Sequence, residues 1–178
     1  MTASPPDDVE AHLAELADAG HATFREQRGL WQLTAEGREA HREQLAADLE
    51  GIDPAEALGG AYPDFVEVNG RFKELCGEWQ LRDGQPNDHG DDEYDRAVIG
   101  RLRELHAEAR PLVASMGDEL DRLGPYALRL DSVLGEIEAG DTTKFTGVMC
   151  GSYHDVWMEL HEDLILTQGI DRDAEGSY

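Results

Sequence analysis

His21-Ala22-Thr23-Phe24-Arg25-Glu26-Gln27-Arg28-Gly29-Leu30-Trp31-Gln32-Leu33-Thr34-Ala35-Glu36-Gly37-Arg38 is the stretch on which the fold of this chain turns. Residues 21–25 and 30–33 read as two short strands joined by the polar turn 26–29, a β-hairpin. Thr34 is a residue type that caps helices, and the segment from about 35 to 49 carries a helix that stops before Gly51 and Pro54. On the other side, Ser4-Pro5-Pro6-Asp7 reads as a helix start. Ser4 is its N-cap, Pro5 its first helical residue, and Asp7 closes a capping box. Val9, Leu13 and Leu16 then form one apolar stripe up to a stop at Gly20.

A helix, a hairpin with an Arg-Gly tip, and Leu33-Thr34-Ala35-Glu36-Gly37-Arg38 opening a second helix make an order that resembles the back half of MarR-like winged-helix transcriptional regulators. The resemblance covers residues 4–48. In that family a recognition helix ends in a sequence like Leu16-Ala17-Asp18-Ala19-Gly20, two wing strands follow, and an L-T-x-x-G-R element starts the next helix. It implies DNA contacts from Arg25 and Arg28 in the wing and from Arg38 and Arg42 behind it, because a guanidinium suits the negative potential of the minor groove. A solvated surface is the other reading of these four arginines. Two further helices precede the recognition helix in the family, whereas three residues precede Ser4. The resemblance therefore implies a start assigned too late or a derivative that has lost its DNA-binding support.

Charge weighs against nucleic acid. The chain holds 39 acidic and 15 basic residues, a net charge of −24. Residues 1–50 carry 11 acidic and 4 basic side chains, net −7, and the remainder carries 28 and 11, net −17. DNA binders draw most of their affinity from phosphate neutralisation, so DNA is expected to bind weakly here. Asp7 and Asp8 stand at the helix end that would face base edges, where they suit the helix dipole and repel phosphate. Only Lys73 and Lys144 are lysines. The N-terminus has neither a basic region nor an apolar run of an export signal, and no stretch is long and apolar enough for a membrane span, so the expected location is cytoplasmic with no membrane partner. Cys76 and Cys150, far apart and outside any CxxC, read as reduced core thiols.

Past a linker at 51–60, residues 61–168 carry helical periodicity, and 169–178 form a polar tail. Tyr62, Phe65, Asn69, Phe72, Cys76 and Trp79 alternate spacings of three and four on one long helix. A polar loop at 83–90 follows. A helix from 92 to 109 carries Tyr94, Val98, Leu102 and Leu105, and Pro111 restarts or kinks the chain before a break at Gly124-Pro125. A helix through Tyr126, Leu130, Val133, Leu134 and Ile137 ends at Gly140, and residues 152–166 form the last. The expected fold is mainly α: a partial winged helix with one hairpin, followed by a helical bundle without a sheet.

Two runs concentrate chemistry. Trp79-Gln80-Leu81-Arg82-Asp83-Gly84-Gln85-Pro86-Asn87-Asp88-His89 places an aromatic, a guanidinium, an amide, a carboxylate and an imidazole together, with Tyr94 close behind. In residues 152–164, helical spacing puts His154, Met158 and His161 on one face and Tyr153, Trp157, Leu160 and Leu164 on its neighbour. Because polar groups beside an apolar face need partners, the two runs are expected to meet, either as a structural knot or as a pocket for a small anionic or carbonyl-bearing ligand. Asn69, the one amide on its seam, is a register residue or a ligand contact. A metal site combining His89, Asp91 or Asp92 with His154 or His161 is a further option. The motifs G-x-S-x-G, G-x-G-x-x-G, P-loop and H-E-x-x-H are absent, so no catalytic residue or cofactor is named. The leading reading is a ligand-responsive regulator, or its DNA-binding-impaired derivative. An enzyme or accessory subunit is the second, and an interaction module that homodimerises through the incomplete winged helix the third.

Overall fold

The computed structural model of the chain describes residues 5–170, which divide between Asp53 and Pro54 into two units. In the first, α1 (Pro6–Asp18) leads into β1 (Ala22–Arg25), β2 (Leu30–Leu33) and α2 (Ala35–Asp48). α1 begins one residue later than the sequence suggests. Pro5 is its N-cap and Pro6 its first residue, where a missing N–H costs nothing. Ser4, the expected cap, lies outside the described residues. Gly20, at φ +76°, turns the chain out of α1 in the left-handed region that favours glycine. The strands pair antiparallel with Ala22 opposite Leu33 and Arg25 opposite Leu30, and the Phe24 and Trp31 rings meet across them at 5.5 Å.

Thr34 locks the hairpin to α2. Its Oγ1 accepts from the Gly37 N–H at 2.9 Å and donates to the Gly20 carbonyl at 2.7 Å, while its own N–H donates to the His21 carbonyl. The closure presses His21 onto the first turn of α2. A Cβ at position 37 would stand 1.9 Å from the His21 oxygen, so this position requires glycine.

The second unit runs α3 (Pro54–Ala57), α4 (Ala61–Gln80), β3 (Leu81–Arg82), β4 (Gln85–Pro86), α5 (Asp92–Glu119), α6 (Gly124–Glu138) and α7 (Tyr153–Gln168). The protein is mainly α, and no described helix is long and apolar enough to cross a membrane. Three sequence expectations are corrected here. The segment 51–60 is no plain linker: it contains α3, and Leu58 behind it is fully buried. The bundle does contain a ladder, because Asp83 and Gly84, at φ +51° and +75°, make the two-residue turn that suits a hairpin and pair β3 with β4.

The third correction is α5, which runs unbroken through Pro111. A proline inside a helix costs about 3 kcal/mol. Val98, Leu102, Leu105, Ala109, Val113 and Met116 nevertheless bury one stripe on both sides of it, and each large apolar side chain returns about 1.5–3 kcal/mol.

The core is aromatic where α4 meets α7. Phe65 stacks on Trp157 at 4.9 Å and meets His161 at 5.4 Å, while Phe72 meets Tyr153 at 5.4 Å. Rising residue numbers on α4 thus face falling numbers on α7, and the two helices are antiparallel.

Gly37→Ala is expected to destabilise the first unit by about 2–3 kcal/mol, because backbone rather than a flexible side chain blocks the added methyl. Urea unfolding followed by circular dichroism measures this, and a change within experimental error refutes the packing argument.

Candidate functional site

A groove of about 320 Å³ opens between α4 and α7. α4 lines it with Asn69, Phe72, Lys73, Cys76, Gly77 and Gln80, which recur at helical spacing along one face. α7 supplies His154, Met158 and His161, the three residues that the sequence places on one face. Asn69, Phe72, Cys76 and His161 are buried, whereas Lys73, Gln80 and Met158 are exposed at the rim.

Asn69 is both a register residue and a wall of this groove. The Trp157 indole N–H donates to its Oδ1 at 2.9 Å in a fully buried setting. An indole only donates, so the amide oxygen must face it, and the amide NH₂ is turned the other way. Burial pushes the Cys76 thiol up to about 12, which keeps it a neutral S–H rather than a nucleophile near pH 7. His154 donates its backbone N–H to the Phe145 carbonyl at 3.1 Å, and its ring Nδ1 is buried without a hydrogen-bond partner among the described residues.

A strong cap positions the first turn of α7. Ser152 Oγ accepts from the Asp155 N–H at 3.0 Å, and the Asp155 carboxylate accepts from the backbone of Met149, Cys150, Gly151 and Ser152 at 2.9 to 3.3 Å. Burial alone would raise the Asp155 carboxyl. The four N–H donors outweigh it and hold the group below its ordinary value. Cys150, expected in the core, is exposed on this loop, because capping draws its N–H rather than its side chain inward.

The first polar run takes a different place. Asn87 Nδ2 donates to the Trp79 carbonyl and to Asp95 Oδ1, both at 3.2 Å, and His89 Nδ1 meets Asp95 Oδ2 at 3.0 Å. The His89 ring lies 4.5 Å from Trp79, Asp88 accepts from the Gly90 N–H, and Tyr94 OH donates to the Glu78 carbonyl at 2.9 Å. Arg82 pairs with Asp91 at 3.0 Å and covers the Tyr94 ring. Here the residues satisfy one another and tie the end of α4 to the start of α5. His89 borders a second cavity with Asp92, Asp95, Arg96 and Arg103, while Tyr153 and Trp157 are fully buried. The expected meeting of the two runs around one pocket is therefore divided: His154, His161 and Asn69 share the groove with Gln80 of the first run, while Trp79, Arg82, Asn87, Asp88, His89 and Tyr94 form a separate knot. No three histidine, cysteine, aspartate or glutamate side chains among the described residues could hold a metal ion, so the metal option joining His89 to α7 is not formed.

Sequence reasoning missed a chain of partners that runs from the buried Tyr153 through His106 to the surface. His106 Nε2 lies 3.0 Å from Asp131 Oδ1, and its Nδ1 lies 3.2 Å from the Tyr153 hydroxyl. A carboxylate only accepts, so Nε2 donates to Asp131, and in the neutral ring Nδ1 accepts from the phenol. Arg110 closes the chain on Asp131 Oδ2 at 3.3 Å. Burial, then Asp131 and Cys76, raises the Tyr153 hydroxyl. The signal was present, since His106 falls four after Leu102 and three before Ala109 on the buried stripe of α5.

In the first unit Arg25 donates to Gln32 across the hairpin, Arg38 donates to the Leu33 carbonyl at 3.0 Å, Arg42 pairs with Glu39, and Arg28 stands exposed in the turn. Asp7 and Asp8 are exposed in the first turn of α1. Comparison with known proteins yields no match to a family model, to a curated protein or to a solved structure.

Asp155→Asn is expected to lose about 1–2 kcal/mol at neutral pH, the range of a helix cap. A carboxyl held low by folding contributes fully above its unfolded value, and the contribution disappears as pH falls through the lower folded value. Thermal unfolding of wild type and variant should therefore converge in strongly acidic solution; a gap that stays constant with pH contradicts this role for the carboxylate.

Proposed function

We propose that this is a ligand-responsive protein of the regulator type, in which the second unit receives a small organic molecule in the α4–α7 groove and the first unit is a winged-helix-like module with weak DNA affinity. The observation that carries the reading is the groove itself. Its lining pairs aromatic and thioether surface with a few convergent polar groups, the composition of small-molecule sites. The self-satisfied knot from Trp79 to Tyr94 offers no comparable set of unengaged groups. On the first unit, three of the four arginines singled out by sequence already engage neighbours within the hairpin and α2, which supports weak rather than specific contact with phosphate.

Ligand-observed NMR with a mixture of anionic, neutral and cationic fragments tests the groove. At least one fragment should bind, and Met158→Trp, which plugs the rim from an exposed position, should abolish that binding while Arg82→Ala preserves it. Absence of any fragment binding, or hits indifferent to Met158→Trp, defeats the proposal.

For DNA, fluorescence anisotropy with a labelled duplex near physiological salt should give a Kd of about 10⁻⁵ M or weaker with no sequence preference. A nanomolar, sequence-specific complex would overturn that part of the reading.

A further inference from the structure

The groove's lining departs from the rest of the chain in one respect: among the described residues none of the nine that line it is acidic, although aspartate and glutamate supply 39 of 178 positions. One of the two lysines stands at its rim. The other, Lys144, is engaged by the Cys150 carbonyl at 2.7 Å and by Glu136 at 3.5 Å. Lys73 makes no ion pair with any described residue, so its ammonium is available to whatever enters.

Asn69 supplies the second group. It is 4% exposed, its oxygen is committed to Trp157, and its NH₂ has no partner among the described residues. Asn69 and Lys73 are one helical turn apart on α4 and share a face, so an acceptor can reach both. The buried, unpartnered Nδ1 of His154 adds a third unsatisfied group beside the groove. Phe72 and Met158 offer apolar surface next to these groups.

We propose that the α4–α7 groove selects a small monocarboxylate with an apolar body, its head held by Lys73 and the Asn69 amide and its body against Phe72 and Met158. The inference rests on the small-molecule reading above and names the ligand class. A cation would meet no carboxylate in the groove, and the Asn69 oxygen is already taken. A neutral carbonyl could accept from the amide and the ammonium but would leave the ammonium's charge unbalanced. A dianion such as a phosphate monoester would bring more charge than one ammonium and neutral donors balance. Size agrees with a single ring and a short chain, because about 320 Å³ lies at the lower end of the roughly 300–1,000 Å³ typical of ligand pockets.

Three isosteric probes test the class on the full chain: phenylacetate, phenylacetamide and phenethylamine, each titrated while the Trp157 indole N–H is followed by NMR. Phenylacetate should bind about tenfold or more tightly than phenylacetamide, the advantage of a charge-assisted bond, and phenethylamine should not bind. Lys73→Gln, on the exposed rim and therefore compatible with folding, should bring the acid and the amide within about twofold of each other. Equal or tighter binding of phenylacetamide, or a Lys73→Gln variant that keeps the preference, overturns the carboxylate proposal and leaves the small-molecule reading standing. Binding of none of the three overturns this proposal, whereas the broader reading falls on silence across the wider fragment mixture or on hits indifferent to Met158→Trp.

Discussion

The bond from the Trp157 indole to the Asn69 amide sets the arrangement of everything around it. Both groups are buried among Phe65, Phe72 and Tyr153, where an unpaired donor or acceptor costs about 1–3 kcal/mol. Aromatic surface alone permits α7 to slide or rotate on α4 with small changes in buried area. The hydrogen bond does not, because one residue of slip would strand both partners. Fixing that register puts His154, Met158 and His161 opposite Phe72, Cys76 and Lys73, and a groove results where side chains of unequal length face each other. The same bond orients the amide so that its donors look away from the indole.

Charge is distributed with similar economy. Many arginines of the second unit are held by carboxylates: Arg71 by Glu108, Arg103 by Glu138, Arg110 by Asp131 and Arg129 by Glu159. Most are solvent-accessible pairs of small individual worth. Their collective effect is to leave few basic side chains unengaged on a chain of net charge −24. A protein so arranged repels polyanions at long range, while a sheltered groove without carboxylates can still favour one small negative charge at short range.

Much of the architecture was legible from residue spacing, because the hairpin, the cap at Thr34, the seam on α4 and the stripe on α7 all follow from local periodicity. What escaped was decided by interactions that spacing does not encode. Pro111 reads as a breaker, yet packing on both sides of it holds α5 together. The polar loop at 83–90 hid an Asp-Gly turn whose positive φ values a strand signal on only two flanking residues was too short to reveal. At the site, helical spacing grouped His154, Met158 and His161 correctly, but it could not say which residues of α4 would face them. That depended on the antiparallel register of the two helices. His106 was overlooked because its partners, Asp131 and Tyr153, come from two other helices.

The two polar runs contain similar residue types and end in opposite states, and the difference separates scaffold from site. In the run from Trp79 to Tyr94 the groups lie within a few residues of one another, so a tight turn lets each donor find an acceptor locally: Asn87 with Asp95, His89 with Asp95, Arg82 with Asp91. Such closure stabilises the junction of α4 and α5 and leaves little for a ligand to add. On α7 the imidazoles are separated by a full turn or more and anchored on a rigid helix, so they cannot fold back on each other. Across the groove α4 places the Asn69 amide and Lys73 on the facing wall. A cluster that completes itself is structure; the α4–α7 groove, held by two rigid helices, keeps the Asn69 amide and Lys73 from closing on neighbours in the same way, which is why the proposed ligand is placed there and not at the knot.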